Sequence, residues 1–468
     1  MKTPRSFPRR RFLRCAGQLA AASLVPRYVL GGAGQIAPSQ QLNLAVIGTG
    51  GQGITNLKEL LRHPDVNIAA LCDVAEFWDN SQLYYRHHGG RGPAQAAIAE
   101  HAPENPGRAR RTPALFSDYR VMLERSSRDV DAVLIATPNH THAVISMTAM
   151  RAGKGVYCEK PLAHSVYETR ELARAARETG VATQMGNQGH SSDDIRRAVA
   201  WIRAGAIGAV REVHAWKGGP NRVMPTSRPV ETPAVPNGLD WDLWLGPAQP
   251  RPFHPAYAPL MFHYWWDFGS GTLGNYGCHT LDTAVWALEL EHPTVVEASS
   301  TALNDETTPL AMACHYLFPP NANRGPVELF WFDGGLRPPR PAWLPQDEEL
   351  PDAGGSLIVG DKGAVLSGIW SGSPRLLLKE KTNPDQLPAA AMAKSRGHHR
   401  DWIEACKGGP PASANFSYAA RLTEIVLLGI VALRTGRPIH WDGAGMRASN
   451  APEAEPWIRG FARKGWEI

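Results

Sequence analysis

The sequence predicts an α/β domain built on a doubly wound parallel sheet, followed by a larger α+β domain with an antiparallel sheet. Three observations lead there. Strand and helix patterns alternate through residues 42–162, the rhythm of parallel strands joined by crossover helices. From residue 294 onward, strand-like runs follow one another over short connections, which suits antiparallel pairing. Finally, 468 residues exceed what one hydrophobic core organises. The expected divisions are a leader over 1–40, a first domain over 41–163, and a second over 164–468 whose closing helices pack back on the first.

The leader holds seven of the 49 basic residues and no acid. Without it, 42 basic residues face 44 acidic ones, so the net charge of +5 belongs to the leader and gives no footprint for nucleic acid. Pro8-Arg9-Arg10-Arg11-Phe12-Leu13-Arg14 precedes a mildly apolar run from Cys15 to Val25. This pattern resembles a twin-arginine (Tat) export signal, which implies a periplasmic or otherwise exported protein carried by the Tat machinery. No stretch of about 18 uncharged apolar residues suggests a membrane span. The six cysteines include no Cys-x-x-Cys pair, so neither a disulfide framework nor a zinc site is indicated.

The elements follow in order. Leu42–Ile47 reads as a short buried strand, Ile54–Arg62 as a helix and Val66–Val74 as a second strand. Residues 75–112 hold a helix and a loop rich in Gly and Arg. Val130–Ala136 and Gly155–Cys158 read as further strands, then Ser165–Glu178 as a helix stopped by Gly180. Val181–Met185 is expected as a strand and Ser192–Ala204 as a helix. Residues 220–259 contain ten prolines among several aromatics. Regular elements are not expected there, and an ordered loop draped over a surface is. Strands are expected near 294–301, 312–318, 327–332, 356–359 and 376–379, with a surface insertion over 337–355. Helices near 398–406 and 417–434 close the chain.

Chemistry starts at Gly48-Thr49-Gly50-Gly51-Gln52-Gly53. This G-x-G-x-x-G directly follows a strand and opens a helix, and Asp73 ends the next strand. Glycines at 48, 50, 51 and 53 allow a tight turn and let backbone approach a pyrophosphate at the helix N-terminus. Asp73 would accept hydrogen bonds from ribose hydroxyls and repel a 2′-phosphate, favouring NAD. Ala136-Thr137-Pro138-Asn139-His140-Thr141-His142 follows another strand at the carboxyl end of the sheet, where ligands bind. Thr137, Pro138, Asn139 and His142 are therefore cofactor-contact candidates. His140 and His142 lack the Cys, Asp or Glu cluster that would complete a metal shell, so no metal is expected. Glu159 and Lys160 end the next strand and should face the same cleft, where desolvation can tune a lysine for proton transfer. Asn187 and His190, on a strand-end loop, suit hydroxyl recognition, as does Tyr264 within Phe262–Asp267.

The glycine turn, the Ala-Thr-Pro-Asn-His segment and Glu159-Lys160-Pro161 together resemble the Gfo/Idh/MocA family, the relatives of glucose–fructose oxidoreductase and inositol dehydrogenase. The resemblance reaches Gly269–Asp282 and the closing helices. It implies a Rossmann domain followed by an open, mostly antiparallel sheet that bears the substrate site and often a subunit interface, hence a homo-oligomer. It also implies that Lys160 lies beside the nicotinamide and the substrate hydroxyl. His279 falls on the family histidine, while Asn275 replaces the family's aspartate. An amide cannot take up a proton, yet it can orient a hydroxyl. Lys160 and His279 are left as the acid–base candidates.

The resemblance implies an NAD-dependent oxidoreductase acting on a carbohydrate or glycoside hydroxyl. A second reading is a glycosidase that oxidises sugar carbon 3 transiently. The family's alpha-N-acetylgalactosaminidase branch resembles this chain in its leader but carries an apolar residue where Lys160 stands. A third reading is a non-catalytic NAD-binding scaffold. Export favours a redox-neutral scheme with tightly held NAD, because a trapped reduced cofactor must be reoxidised in place.

Overall fold

The computed structural model describes residues 36–37, 40–101, 112–219, 224–379 and 392–468. The expected leader, apart from a few residues, lies outside them. The first domain runs β1 (Leu42–Ile47), α1 (Gly51–Leu61), β2 (Val66–Cys72), α2 (Arg91–Glu100), β3 (Ala114–Phe116), α3 (Tyr119–Arg125), β4 (Ala132–Ile135), α4 (Asn139–Arg151), β5 (Gly155–Glu159), α5 (Val166–Thr179) and β6 (Thr183–Gly186). Its six strands are all parallel in the order β3-β2-β1-β4-β5-β6. The order reverses between β1 and β4, which opens a crevice at the carboxyl ends of these two strands.

Strand β6 corrects the expected division at 163/164. It pairs with β5, from Val156↔Thr183 to Glu159↔Gly186, so the first domain reaches residue 186. Helix α5, which the expected division placed at the start of the second domain, is instead the crossover that joins β5 to β6.

The second domain continues with α6 (Asp193–Arg203), β7 (Val210–Lys217), α7 (Trp241–Leu245), α8 (Gly271–Thr280), α9 (Asp282–Ala287), β8 (Val295–Ser300), β9 (Met312–Phe318), β10 (Val327–Phe332), β11 (Gly354–Gly360), β12 (Gly363–Gly368) and β13 (Arg375–Leu378). It closes with α10 (His398–Cys406), α11 (Phe416–Thr435), β14 (Ile439–Asp442), β15 (Arg447–Ala448) and α12 (Glu455–Arg459). Nine strands form one sheet, antiparallel except where β10 runs parallel to β7. Strand β7 had no expectation attached, yet it is central to the sheet.

One continuous core joins the domains. It runs from Ala45 and Val133 through α4, α5 and α11 to Tyr316 and Trp331 of the second sheet. Trp402 and Ile403 of α10 pack with Leu44, Ile68 and Leu134 on the other face of the first sheet. Helix α11 is long and apolar enough to cross a membrane, but 78% of its apolar window is buried in the interior. Within it Glu424 accepts hydrogen bonds from Arg170 and Trp441 and lies 2.9 Å from His292 Nδ1. The proline-rich segment, expected to lack regular elements, contains α7, capped by Asp240. Trp241, Trp244, Phe253, Tyr257, Trp265 and Phe268 form a satellite aromatic core around it.

Candidate active site

A cavity of about 750 Å³ occupies the crevice, toward the upper end of the roughly 300–1,000 Å³ range of small-molecule sites. Residues from both domains line it, from Gly48 and Asp73 at one end to Lys217 and Trp370 at the other.

The glycine turn forms the first wall. Gly48 has φ +82° and lies against the Ala136 carbonyl, where a Cβ would come within 2.6 Å. At Gly53 a Cβ would stand 1.9 Å from the Gly48 carbonyl oxygen, so helix α1 can start this close to β1 only with glycine there. Gly53 itself is behind the wall, whereas Gly48, Gly50 and Gly51 line the cavity. The space a Gly50 Cβ would enter is open, which leaves backbone accessible for a pyrophosphate. Asp73 also lines the cavity. Its carboxylate accepts from the Thr49 backbone N–H at 2.6 Å and from the Ala75 N–H at 2.8 Å. The acid therefore fastens the turn, with lone pairs left for a ribose. Burial pushes its pKa up against those hydrogen bonds. The segment after β2 returns over the turn: Gly90 N–H donates to the Thr49 carbonyl at 2.8 Å, and the Tyr85 ring covers Gly51. Tyr85 was not anticipated, since nothing local marks a loop that crosses a distant turn.

The Thr137–His142 stretch is the entry to α4, with Asn139–His142 in its first turn. Thr137, Pro138, Asn139 and His142 all line the cavity. His142 holds Nδ1 at 2.8 Å from the Pro161 carbonyl and Nε2 at 2.8 Å from that of Thr137. Burial lowers its pKa to about 4, and a neutral ring donates to one of the two. His140 points away, between the Phe268 and Trp244 carbonyls.

Lys160 leaves the end of β5 and meets α8 of the second domain. Its Nζ donates to the Asn275 side-chain oxygen at 2.6 Å and to the Asn275 carbonyl at 2.9 Å. Burial lowers its pKa, and the Glu159 charge opposes that. Glu159 accepts from Asn56 at 2.8 Å and Gln188 at 2.9 Å. Gly186 makes room for it, since a Cβ there would come within 2.5 Å of the carboxyl group. Burial pushes the Glu159 pKa up.

His279 follows Asn275 by one helical turn, so both face the cavity. Its buried Nδ1 has no hydrogen-bond partner among the described residues. Burial, then the charges of Lys160 and His398, hold its pKa well below the usual value. His263 lines the same space with an equally unpartnered Nδ1, and burial with the Lys160 and His142 charges depresses it too. Tyr264 stands beside it. Sequence reasoning passed over His263 because it sits in an aromatic run that reads as packing.

Asn187 and His190 are placed otherwise than expected. Neither lines the cavity; both turn inward to Asp282. Asn187 Nδ2 donates to its carboxylate at 2.9 Å, and His190 Nδ1 lies 2.9 Å from it. Tyr418 hydroxyl donates to the same acid, and His190 stacks on Trp286 at 4.2 Å. This buried network holds α8 and α9 behind the wall. Gln188 and Gly189, between them, face the cavity instead, because the 3-10 turn over Gln188–Ser191 sends successive side chains to different sides.

The residues present fit a dinucleotide: an open glycine turn on a helix N-terminus, an acid at the end of the neighbouring strand, and unpartnered ring nitrogens further along one cavity. Comparison with known proteins agrees. Residues 42–187 match the GFO_IDH_MocA model described as "Oxidoreductase family, NAD-binding Rossmann fold". Residues 216–312 match its companion, "Oxidoreductase family, C-terminal alpha/beta domain". Together these span just over half of the chain. The chain is 30% identical over 211 residues to a "Glycosyl hydrolase family 109 protein" of Stenotrophomonas maltophilia, covering 45% of this chain and 42% of that one. It is 28% identical over 190 residues to "Levoglucosan dehydrogenase" of Pseudarthrobacter phenanthrenivorans, covering 39% and 43%. The matches thus span less than half the length of these relatives. Among solved structures, the WlbA dehydrogenase of Bordetella pertussis, in complex with NADH and UDP-GlcNAcA, shares the fold. Its TM-score is 0.56 at 15% identity, over 86% of this chain and 99% of that one.

Proposed function

The chain belongs to the Gfo/Idh/MocA oxidoreductase family, and from that premise we propose that it is an NAD-dependent enzyme oxidising a hydroxyl of a carbohydrate or glycoside. The observation that carries this reading is the meeting of Lys160, Asn275, His263 and His279 in the cavity that begins at the glycine turn.

Gly48, Gly50 and Gly51, with Asp73 and the Thr137–Asn139 entry of α4, would hold the cofactor. When bound, NAD supplies hydride-acceptor chemistry. Lys160, whose ammonium form is disfavoured by burial, takes the proton from the substrate hydroxyl as its neutral amine. Asn275 fixes the lysine from two oxygens and cannot compete for the proton. His279 and His263 present unpaired ring nitrogens that hydrogen-bond neighbouring hydroxyls and orient the sugar. Buried Glu159, held by Asn56 and Gln188, sets the electrostatic background of the lysine.

A second reading is favoured by the relative named as a family 109 glycosyl hydrolase: transient oxidation at carbon 3, elimination across carbon 2, water addition, and return of the hydride. The leader's arginine pair, Arg9-Arg10, with Phe12-Leu13, supports export by the Tat route to the periplasm, which favours such redox-neutral turnover. A homo-oligomer completes the reading, supported by the half-exposed sheet face carrying Glu297, His315 and Phe330.

Incubation with a glycoside panel in D₂O separates the readings. A released sugar with deuterium at carbon 2 supports hydrolysis, and a keto-sugar with accumulated NADH supports dehydrogenation. Absence of both across sugars that bind sinks the enzymatic proposal.

A further inference from the structure

The cavity wall continues past His279 onto the turn after β12. Trp370 lines the cavity there although its side chain is 48% exposed. The turn is fastened to α8 from both directions. Ser371, at φ +59°, donates its hydroxyl to the His279 carbonyl at 2.9 Å, and Thr280 donates its own to the Ile369 carbonyl at 3.1 Å. A left-handed serine held by its neighbours is the kind of local strain that marks functional turns. Gly189 admits the turn, since a Cβ there would stand 2.4 Å from the Trp370 carbonyl oxygen. The turn that carries the exposed indole is therefore fixed.

Its ring lies 4.4 Å from that of His279 and 5.9 Å from that of Tyr276. Lys217, at the end of β7, also lines the cavity, with Nζ 5.2 Å from the Tyr276 ring centroid and donating to the Gly218 carbonyl at 2.7 Å. The acids among the described lining residues are Asp73, Asp118 and Glu159, all in the first domain. Asp333, whose charge reaches Lys217, is not among them. Its carboxylate is buried and accepts from Trp331 and Met312, each at 2.9 Å. The second-domain end of the cavity thus pairs an aromatic platform with a half-buried cation that no lining acid neutralises.

We propose that this end is a second sugar subsite, specific for a ring that carries a carboxylate and is linked to the sugar reacting at Lys160. It rests on the carbohydrate reading above and adds the class of substrate. Trp370 stacks on the C–H face of the second ring, as indole faces do with amphipathic partners. Lys217 pairs with the acid through a charge-assisted hydrogen bond. A neutral ring offers the ammonium no charged partner beyond the Gly218 carbonyl that it already holds, so the ring bearing the acid is preferred.

Calorimetric titration of the NAD-loaded full chain tests this, using disaccharides with a terminal uronic acid, their neutral hexose counterparts and sulfated counterparts. The uronic acid member should bind about tenfold or more tighter than the neutral one. Lys217→Met should erase that preference and Lys217→Arg should retain it, while Trp370→Ala should weaken both members alike. Equal binding of the pairs by the unaltered protein, no binding by any uronic acid member, or a preference that survives Lys217→Met overturns the subsite. Tight binding of only the sulfated sugar overturns the carboxylate. Absorbance at 340 nm, read on the same samples, separates the two levels. Acid preference without any reduction of bound NAD removes the oxidation and leaves the subsite; reduction without preference does the reverse.

Discussion

Lys160, at the end of a first-domain strand, donates to Asn275 of a second-domain helix, and in the proposed mechanism it is the base. Replacing it by methionine keeps the apolar stem and removes the base, so turnover should fall about 10²–10⁴-fold. NAD binding should be unchanged, as checked by steady-state rates beside cofactor titration; unchanged turnover removes Lys160 from the mechanism. Because burial lowers its pKa, kcat/KM should decline toward acid through a limb centred below lysine's ordinary 10.5. Asn275→Asp would set a carboxylate against the ammonium and stabilise it, moving that limb to higher pH; a limb that stays in place contradicts the Lys160 assignment. The sequence shows Lys160, Asn275 and His279 because each belongs to a local motif. It hides His263, Lys217 and Trp370, whose partners are far away in the chain and whose neighbours look like ordinary packing.

Among elements, the glycine turn and helix α8 are each held by one buried acid. Asp73 accepts from two backbone N–H groups. Asp73→Asn turns a donor toward one of them, a loss of about 1–3 kcal/mol. It should weaken NAD binding tenfold or more in equilibrium titration. Asp282 gathers Asn187, His190 and Tyr418, so Asp282→Ala should destabilise the fold by about 3–5 kcal/mol. Denaturant unfolding measures this, and a loss below about 1 kcal/mol would show that the network does not brace α8. The strand alternation and the G-x-G-x-x-G made the first sheet legible, because period and spacing are local. Strand β7 was not, since Val210–Lys217 mixes Arg211, Glu212 and Lys217 with apolar residues and gains its place only from β10 and β11. Asn187 and His190 looked like ligand residues for the same reason: sequence shows polarity, not which side of a wall it faces.

Across the whole molecule, the two domains share one core, so the boundary shift to residue 186 changes how the sheet is counted rather than how it packs. Eight described histidines have pKa values lowered by burial, His140 to about 3 and His142 and His399 to about 4, beside His63, His164, His263, His279 and His398. As pH falls below 6.5 the unfolded chain takes up protons that the native state refuses, so stability drops. Asp73, Glu159, Glu168 and Asp333, raised by burial, act in the opposite sense but are fewer. The midpoint of thermal unfolding should fall by about 5 °C or more between pH 7 and pH 5; a midpoint that rises would contradict the neutral burial of these rings. The claim beneath all of this is that the turn after Ile47 grips NAD. The direct measurement is the dinucleotide content of the protein purified without added nucleotide and then denatured. About one NAD per chain is expected; none, or NADP in its place, contradicts a turn built to hold NAD.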